Sequence, residues 1–353
     1  MVFPLKNIII YIRLVFLIPL VCLSVSTKGQ DVTFSLFDQN KTYFNPALTG
    51  LHSGLIQTNF IYRKQWLNFP GEFSTKHFNL DFKKYGSSGF GLFVFSDIEG
   101  ESLLTTYSLG GNYSWRGVIS DYSGAFFQLG VKFSYNMREI DLSRLTFSDE
   151  IDEIYGPIYG PDYVADRDRY DYIDFSVGGM ISFKSFGLLS NTLGFAVHHF
   201  NRPKTSFQGI SDKIPIKFSI HAQTEYRSQV NSLNRRDKLR LSPALVYETQ
   251  GSDIRDKQLA NSLMFGLDLD SDPLTGGIWY RTPFAKGSNK NYNALIFKFG
   301  TRIYAHNNKA IYNLYYAYDL ATKNDSKYTR DSHEIGLSMS ISYKRKFKSY
   351  NRF

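Results

Sequence analysis

The stretch AFFQLGVKFSYNM, residues 125–137, decides how this chain folds. Ala125, Phe127, Leu129, Val131, Phe133, Tyr135 and Met137 fall on one side, and Phe126, Gln128, Gly130, Lys132, Ser134 and Asn136 on the other, because successive side chains of a β-strand point to opposite faces. One face is apolar and the other mostly polar. The same period recurs outward from it in both directions. Tyr107 to Trp115 alternates rings and Leu109 with Ser108, Gly110, Asn112 and Ser114. Ile216, Phe218, Ile220 and Ala222 alternate with Lys217, Ser219, His221 and Gln223. Ile335, Leu337, Met339, Ile341 and Tyr343 alternate with Gly336, Ser338, Ser340 and Ser342.

A soluble two-sheet sandwich also alternates, so segment length has to separate the two. These segments run about 9–13 residues, whereas soluble strands average about 5–6. Thirteen residues at about 3.3 Å each reach roughly 43 Å, and at a tilt of ~40° they span about 33 Å, more than the apolar band of ~25 Å around an outer-membrane barrel. The polar faces are rich in Gly and Ser and carry little apolar filling. Turning Lys132 toward lipid would cost about 2–4 kcal/mol at the midplane, so the polar faces are assigned to an enclosed lumen. About fourteen such segments can be counted, from Ile56–Trp66 to Glu334–Tyr343, the shortest being Gly276–Arg281. The expectation is an all-β chain forming one transmembrane antiparallel barrel with both termini in the periplasm.

Composition agrees with a membrane setting. Aromatics make up 16% of the 353 residues, with 25 Tyr and 30 Phe, and Tyr and Trp suit a lipid–water boundary. After residue 29 no apolar run approaches the ~20 residues of a spanning helix, and a membrane chain without such helices must close into a barrel. The first residues read as an export signal: Lys6 and Arg13, an apolar run from Leu14 to Val25, then small residues with cleavage near Ser26 or Gly29. The alternative, an inner-membrane anchor, fits less well because the apolar run is short and contains Pro19. Residues 1–29 are thus expected to be a signal peptide and 30–353 one barrel domain, with 30–54 as an N-terminal periplasmic segment leading into the first strand. The one cysteine, Cys22, lies inside the signal, and Val21 before it is large for a lipoprotein site. A mature chain without a thiol has no disulfide framework and no cysteine metal site. Losing Lys6, Arg13 and Lys28 lowers the net charge from +9 to +6, with the basic residues scattered among strands, so nucleic-acid binding is not expected.

The connections predicted to be periplasmic include KKYGSS, DSDP and AHNN, all rich in turn residues. Arg227 to Lys238 breaks this pattern by being long, polar and basic. On the outside, Arg138 to Tyr170 is long and rich in Tyr, Asp, Gly and Pro. Loops of this length are usually functional or disordered, and both a solvated cover over the barrel mouth and a partner-binding loop fit.

Several short segments, in order along the chain, resemble one known family. They are Asn45-Pro46-Ala47 followed by Gly50, YRKQW at Tyr62 to Trp66, GFGLFVFSDIEG at Gly89 to Gly100, HHFNRP at His198 to Pro203, and SHEIGLSMSISY at Ser332 to Tyr343. Together they are similar to the PorP/SprF family of the type IX secretion system. The resemblance implies an outer-membrane barrel that supports protein secretion and gliding motility. It also implies, as partners, other secretion-system proteins, a secreted surface cargo and a periplasmic peptidoglycan-associated protein. The long loop from Arg138 to Tyr170 matches no motif of the family.

Each motif also has a reading of its own. Asn45-Pro46 sets an extended or turn conformation, as a plain turn or as a guide at the periplasmic rim. Arg63 and Gln65 share the inward face of the first strand, with Tyr62 and Trp66 toward lipid, and Glu334 and Asp81 are the acids that Arg63 could meet across the lumen. Asp97, Glu99 and Gly100 read as a tight acidic turn, with too few oxygens for calcium on its own. His198 and His199, being adjacent, should face opposite ways, as should His333 and Glu334. Pro203 closes its motif. With no HExxH, GxSxG or phosphate loop, no catalytic residue, cofactor or metal ligand is expected. Three functions remain. One is a non-enzymatic secretion-accessory barrel serving a specific cargo. Another is a fatty-acid-transporter-like barrel for small or hydrophobic solutes. The third is a surface adhesin using Arg138 to Tyr170.

Overall fold

The computed structural model describes residues 31–67, 71–83, 87–100, 104–120, 124–141, 151–152, 156–157, 169–185, 189–205, 213–228, 239–251, 260–282, 293–305, 309–322 and 331–341. The signal reading of 1–29, most of the loop from Arg138 to Tyr170 and most of the turn from Arg227 to Lys238 lie outside these residues.

The strands are β1 (Ile56–Gln65), β2 (Glu72–Lys83), β3 (Ser88–Gly100), β4 (Leu104–Ser120), β5 (Ala125–Glu139), β6 (Ile151–Asp152), β7 (Gly156–Pro157), β8 (Arg169–Ser185), β9 (Leu189–His198), β10 (Ile216–Arg227), β11 (Arg240–Gly251), β12 (Ala260–Ser271), β13 (Leu274–Thr282), β14 (Ala294–Ala305), β15 (Ala310–Ala321) and β16 (Ser332–Ile341). Strands β6 and β7 pair only with each other; the other fourteen form one closed barrel. Neighbours pair antiparallel in chain order, and β1 closes the ring on β16 with Arg63 opposite Glu334. Closure leaves no edge whose N–H and C=O groups would face lipid. Between β10 and β11 the register passes from Gln223↔Ala244 to Tyr226↔Leu241, skipping Pro243, which has no N–H to give to a ladder.

Alternation sets which face looks where. In β5, Leu129, Val131, Phe133 and Tyr135 are exposed, whereas Gln128, Ser134 and Asn136 are buried. Leu109 is 61% exposed and Phe195 56%, a cost in water and a gain in hydrocarbon. Among the described residues, buried polar side chains outnumber buried apolar ones, the reverse of a soluble core. Strands β4 and β8 reach 17 residues, longer than the apolar alternation marks. Their ends, such as Arg169 and Asp171, are ion-paired and exposed and so lie beyond the apolar band.

The rings do not all look outward, as the alternation had suggested. Trp279 is buried in an apolar cluster inside the lumen, Phe95 and Tyr315 pack against that cluster, and Phe93 is buried stacked on His77. The reason is that the lumen is not empty. Phe34, Leu36, Phe37 and Phe44 of the N-terminal segment fill it and give those rings apolar partners among Ile61, Val246, Met264 and Ile296.

Candidate functional site

Residues 31–55 run through the barrel as a plug. At one end Asp31 contacts His199 and Gln250, beside the strand ends that carry the long connections. At the other, the Leu55 amide donates to the Ile341 carbonyl, at the end carrying the short turns. The expected periplasmic segment 30–54 is therefore corrected: its described part lies inside the lumen. Physically, a stretch with Phe34, Leu36, Phe37, Tyr43, Phe44 and Leu48 is too short to bury its own rings, and the barrel wall supplies the other half of a core.

The plug is gripped first at Ser35. Its Oγ donates to Asp319 Oδ1 at 2.6 Å and accepts from Arg63 Nη1 and Arg281 Nη2, both at 2.8 Å. The backbone amides of Ser35 and Leu36 donate to Glu334 at 2.8 and 3.0 Å. Around them Arg63 pairs with Asp319 at 2.8 Å and Glu334 at 2.9 Å, and Arg281 pairs with Asp319 at 3.0 Å. Four charges thus sit buried and balanced, which is how buried charge is tolerated. Arg63 meets Glu334 but not Asp81, whose carboxylate instead accepts from the Gly50 amide at 2.8 Å. Asp319 and Arg281 carried no motif and were missed; only their placement on inward strand positions could have drawn attention to them.

Deeper along the plug, Phe37 stands edge-on to Trp279 at 4.8 Å, and the Lys298 ammonium lies 4.2 Å from the Trp279 ring and 3.0 Å from Asp38 Oδ1. Burial raises the Asp38 carboxyl, but the Lys298 charge and hydrogen bond outweigh it and hold it below the ordinary carboxylate range. Tyr43 donates to the Val32 carbonyl at 3.0 Å. Burial, with the negative charge of Asp31 and Glu248, pushes its hydroxyl well above the usual phenol value and keeps it a donor.

The second grip is Asn45, between a short helix Lys41–Phe44 and a 3-10 turn Pro46–Leu48, capping both. Asn45 Oδ1 accepts from the Ala47 amide at 2.9 Å, and Nδ2 donates to the Gly179 and Phe195 carbonyls, both at 3.1 Å. The wall beneath is glycine. A Cβ on Gly130 would stand 2.3 Å from the Ala47 nitrogen, one on Gly178 2.1 Å from Asn45 Oδ1, and one on Gly194 2.3 Å from His221 Nε2. These glycines lie on neighbouring strands, Gly130 opposite Gly178 in register. Farther along, the Thr49 carbonyl accepts from Ser114 Oγ and Gln128 Nε2, both at 2.7 Å. Asn45-Pro46 is thus a docking knuckle within the lumen, not a guide at the rim.

At the Asp31 end His199 sits in the left-handed region, φ 57°, so its ring turns inward beside that of His198 instead of to the opposite side. The break comes because β9 ends at His198. His198 Nε2 lies 3.0 Å from the Phe44 carbonyl. His199 is 2.7 Å from Asp31 and 3.1 Å from Asp174. Burial lowers the His199 imidazole, but the charges and hydrogen bonds of Asp31 and Asp174 prevail and raise it to about 10. In turn, burial raises the Asp31 carboxyl, and His199, Lys217 and Gln250 pull it well below its ordinary value.

Other motif residues are placed separately. Asp97 accepts from Thr75 at 2.7 Å, and since β3 continues through Gly100, Asp97 and Glu99 lie on a strand facing the lumen, not in a turn. Gly100 itself has φ 79°. Gln65 ends β1 opposite Ser332. Trp66 follows with φ 51° and packs edge-on to Phe73 at 4.6 Å. Pro203 is buried, its carbonyl accepting from the Ile214 amide. His333 faces away from Glu334, with Nδ1 2.6 Å from the Tyr316 hydroxyl.

The family described as "Type IX secretion system membrane protein PorP/SprF" matches residues 26–339, a range that includes the plug and nearly all of the barrel. The chain belongs to the PorP/SprF family. It is a bacterial outer-membrane protein of a secretion system, and that membership implies other secretion-system proteins as partners. No curated protein matches it. Among solved structures, the "CymD monoaromatic hydrocarbon channel" is similar at 6% identity and TM-score 0.51, with 91% of this chain and 98% of that one covered. A Pseudomonas aeruginosa FadL homologue (14% identity, TM-score 0.43, 84% of this chain and 92% of that one) and the Pseudomonas putida toluene transporter TodX (8%, 0.47, 91% and 100%) are also similar. The CymD likeness shows a shared barrel fold.

Proposed function

We propose that this PorP/SprF protein is a non-enzymatic, plugged barrel that assists the export or surface attachment of a specific cargo of the type IX system, in support of gliding motility. A peptidoglycan-associated protein would be its periplasmic partner. The observation that carries this reading is the family match across plug and barrel together, combined with a lumen whose middle is occupied by residues held from six or more strands. A filled lumen suits a scaffold that works at its rims. The family motifs fit such a role: Asn45, Arg63, His199 and Glu334 all seat the plug. Deletion of the gene should stop the secretion or surface display of at least one cargo, measured by mass spectrometry of surface and medium fractions. Normal display of every cargo would refute the reading.

The second reading, passage of small or hydrophobic solutes, is favoured by the fold shared with the CymD channel. Against it, the cavities above and below the plug are lined by Lys, Arg, Asp and Glu side chains, poor company for a hydrocarbon. Conductance or uptake by the purified protein in liposomes would support passage; silence in both would remove it.

A further inference from the structure

Above the aromatic layer, between the plug and the wall formed by β3, β5 and β8, lies a cavity of about 320 Å³. Most charges on its lining are already engaged. Asp31 and Asp174 hold His199. Asp97 accepts from Thr75, Glu99 is 3.9 Å from Arg138, and Lys217 is 2.8 Å from Glu248.

Lys132 differs. Its ammonium lies 4.5 Å from the Phe93 ring and 5.3 Å from the Tyr43 ring, and among the described residues no carboxylate stands within ion-pair distance of it. Directly opposite in register, on β8, is Ser176. Ser176 is 1% exposed, lines the same cavity, and its Oγ has no hydrogen-bond partner among the described residues. Side chains directly opposite on one face of a sheet stand about 4.5–5.5 Å apart at Cβ. A cation with no carboxylate in ion-pair distance therefore shares a patch of wall with a hydroxyl that has no partner among the described residues. A buried hydroxyl without a partner is costly unless a ligand or water completes it.

We propose that Lys132 and Ser176 form a carboxylate-binding subsite in the outer vestibule, and that its ligand is a polypeptide carboxylate, at a chain terminus or on an acidic side chain, presented from outside the cell. A carboxylate offers two acceptor oxygens to match the two donor groups. The Phe93 and Tyr43 rings hold the ammonium in place by cation–π contact. Asp31, Asp97, Glu99 and Asp174 line the same cavity and repel a phosphate or sulfate dianion about twice as strongly as a carboxylate, so the monoanion is the better match. The volume suits one or two residues, not a folded domain. The polypeptide source rests on the secretion reading above; the carboxylate chemistry does not.

The test is fluorescence anisotropy on the full-length protein in detergent. The probe is fluorescein-labelled Gly-Ser-Gly-Ser-Phe, as the free acid and as the C-terminal amide, with acetate as competitor. The free acid should bind roughly tenfold or more tightly than the amide. Lys132→Met should erase that preference, Ser176→Ala should reduce it, and Lys132→Arg, which keeps a cation, should retain part of it. Heat-modifiable gel mobility verifies that each variant is a folded barrel. Equal binding of acid and amide by the wild-type protein would overturn the subsite without reference to any variant. Displacement by acetate at concentrations matching the peptide would overturn the polypeptide source. Because the assay uses purified protein, a carboxylate preference can fail while the deletion strain still loses a cargo, and the reverse, so the two proposals fall separately.

Discussion

At Ser35 the barrel wall meets the plug with four charged side chains, Arg63, Arg281, Asp319 and Glu334; at Asn45 it meets it with three glycines and two backbone carbonyls. Both sites hold the same segment, by different physics. The charge node is directional and intolerant of losing one member, since a remaining buried charge has no water to turn to. The glycine saddle is steric: it admits the plug backbone at Gly130 and the Asn45 side chain at Gly178 at close range, with no room for a Cβ. A plug held in both ways has its register set by charge and its depth set by shape.

Breaking the charge node should have the largest effect. Arg63→Ala leaves Glu334 and part of Asp319 uncompensated and should cost about 3–5 kcal/mol, read by urea unfolding of the refolded barrel in detergent. If it costs less than Gly130→Ala, the ranking of the two grips is wrong. Gly130→Ala or Gly178→Ala forces a Cβ into the plug backbone or the Asn45 side chain and should cost about 1–3 kcal/mol. It should also expose residues 31–50 to protease while the barrel keeps its heat-modifiable mobility. Asn45→Ala removes hydrogen bonds to Gly179, Phe195 and Ala47 and should cost about 1–3 kcal/mol, below Arg63→Ala on the same measurement. The Arg63→Ala, Gly130→Ala double variant sharpens the comparison. Independent grips give additive costs to within about 0.5 kcal/mol, whereas a plug that leaves as one body gives a smaller sum.

The smallest expected effect belongs to the clasp of Asp31 by His199 and is a pH dependence. His199 is raised from its ordinary value to about 10 by Asp31 and Asp174 against its burial. Its contribution is therefore complete below about 6.5, shrinks as pH rises, and is gone above about 10. Asp31 is depressed, so its contribution holds above about 3.9 and is lost on acidification. The groups facing the pair are Asp174, Lys217 and Gln250. The difference in protease protection of the plug between wild type and Asp31→Asn should be greatest near pH 6 and should vanish above pH 10. A difference that grows with pH would reverse the assignment of His199 as the charged partner.

Much of this architecture is legible in the amino-acid sequence. Residues 125–137 place alternate side chains on opposite faces, and strand β5 shows that partition with Leu129 outside and Gln128 inside. The fourteen-strand count followed from repeating the same argument. The site was legible only in fragments. Asn45, Arg63, His199 and Glu334 stood out as motif residues, yet nothing local says that they converge on one segment. Asp319, Arg281, Lys132 and Ser176 carried no signal beyond facing inward.

What the sequence determined by itself is the face each strand side chain takes, because that depends on a period of two and on nothing distant. Only the tertiary structure decided what fills the space those faces enclose. Closing β1 on β16 brings residues from across the chain to Ser35, 299 positions apart in the case of Glu334. A short apolar segment with no core of its own then finds its other half on the inner wall. Burial of that kind is a property of the closed ring, and no stretch of the chain encodes it alone.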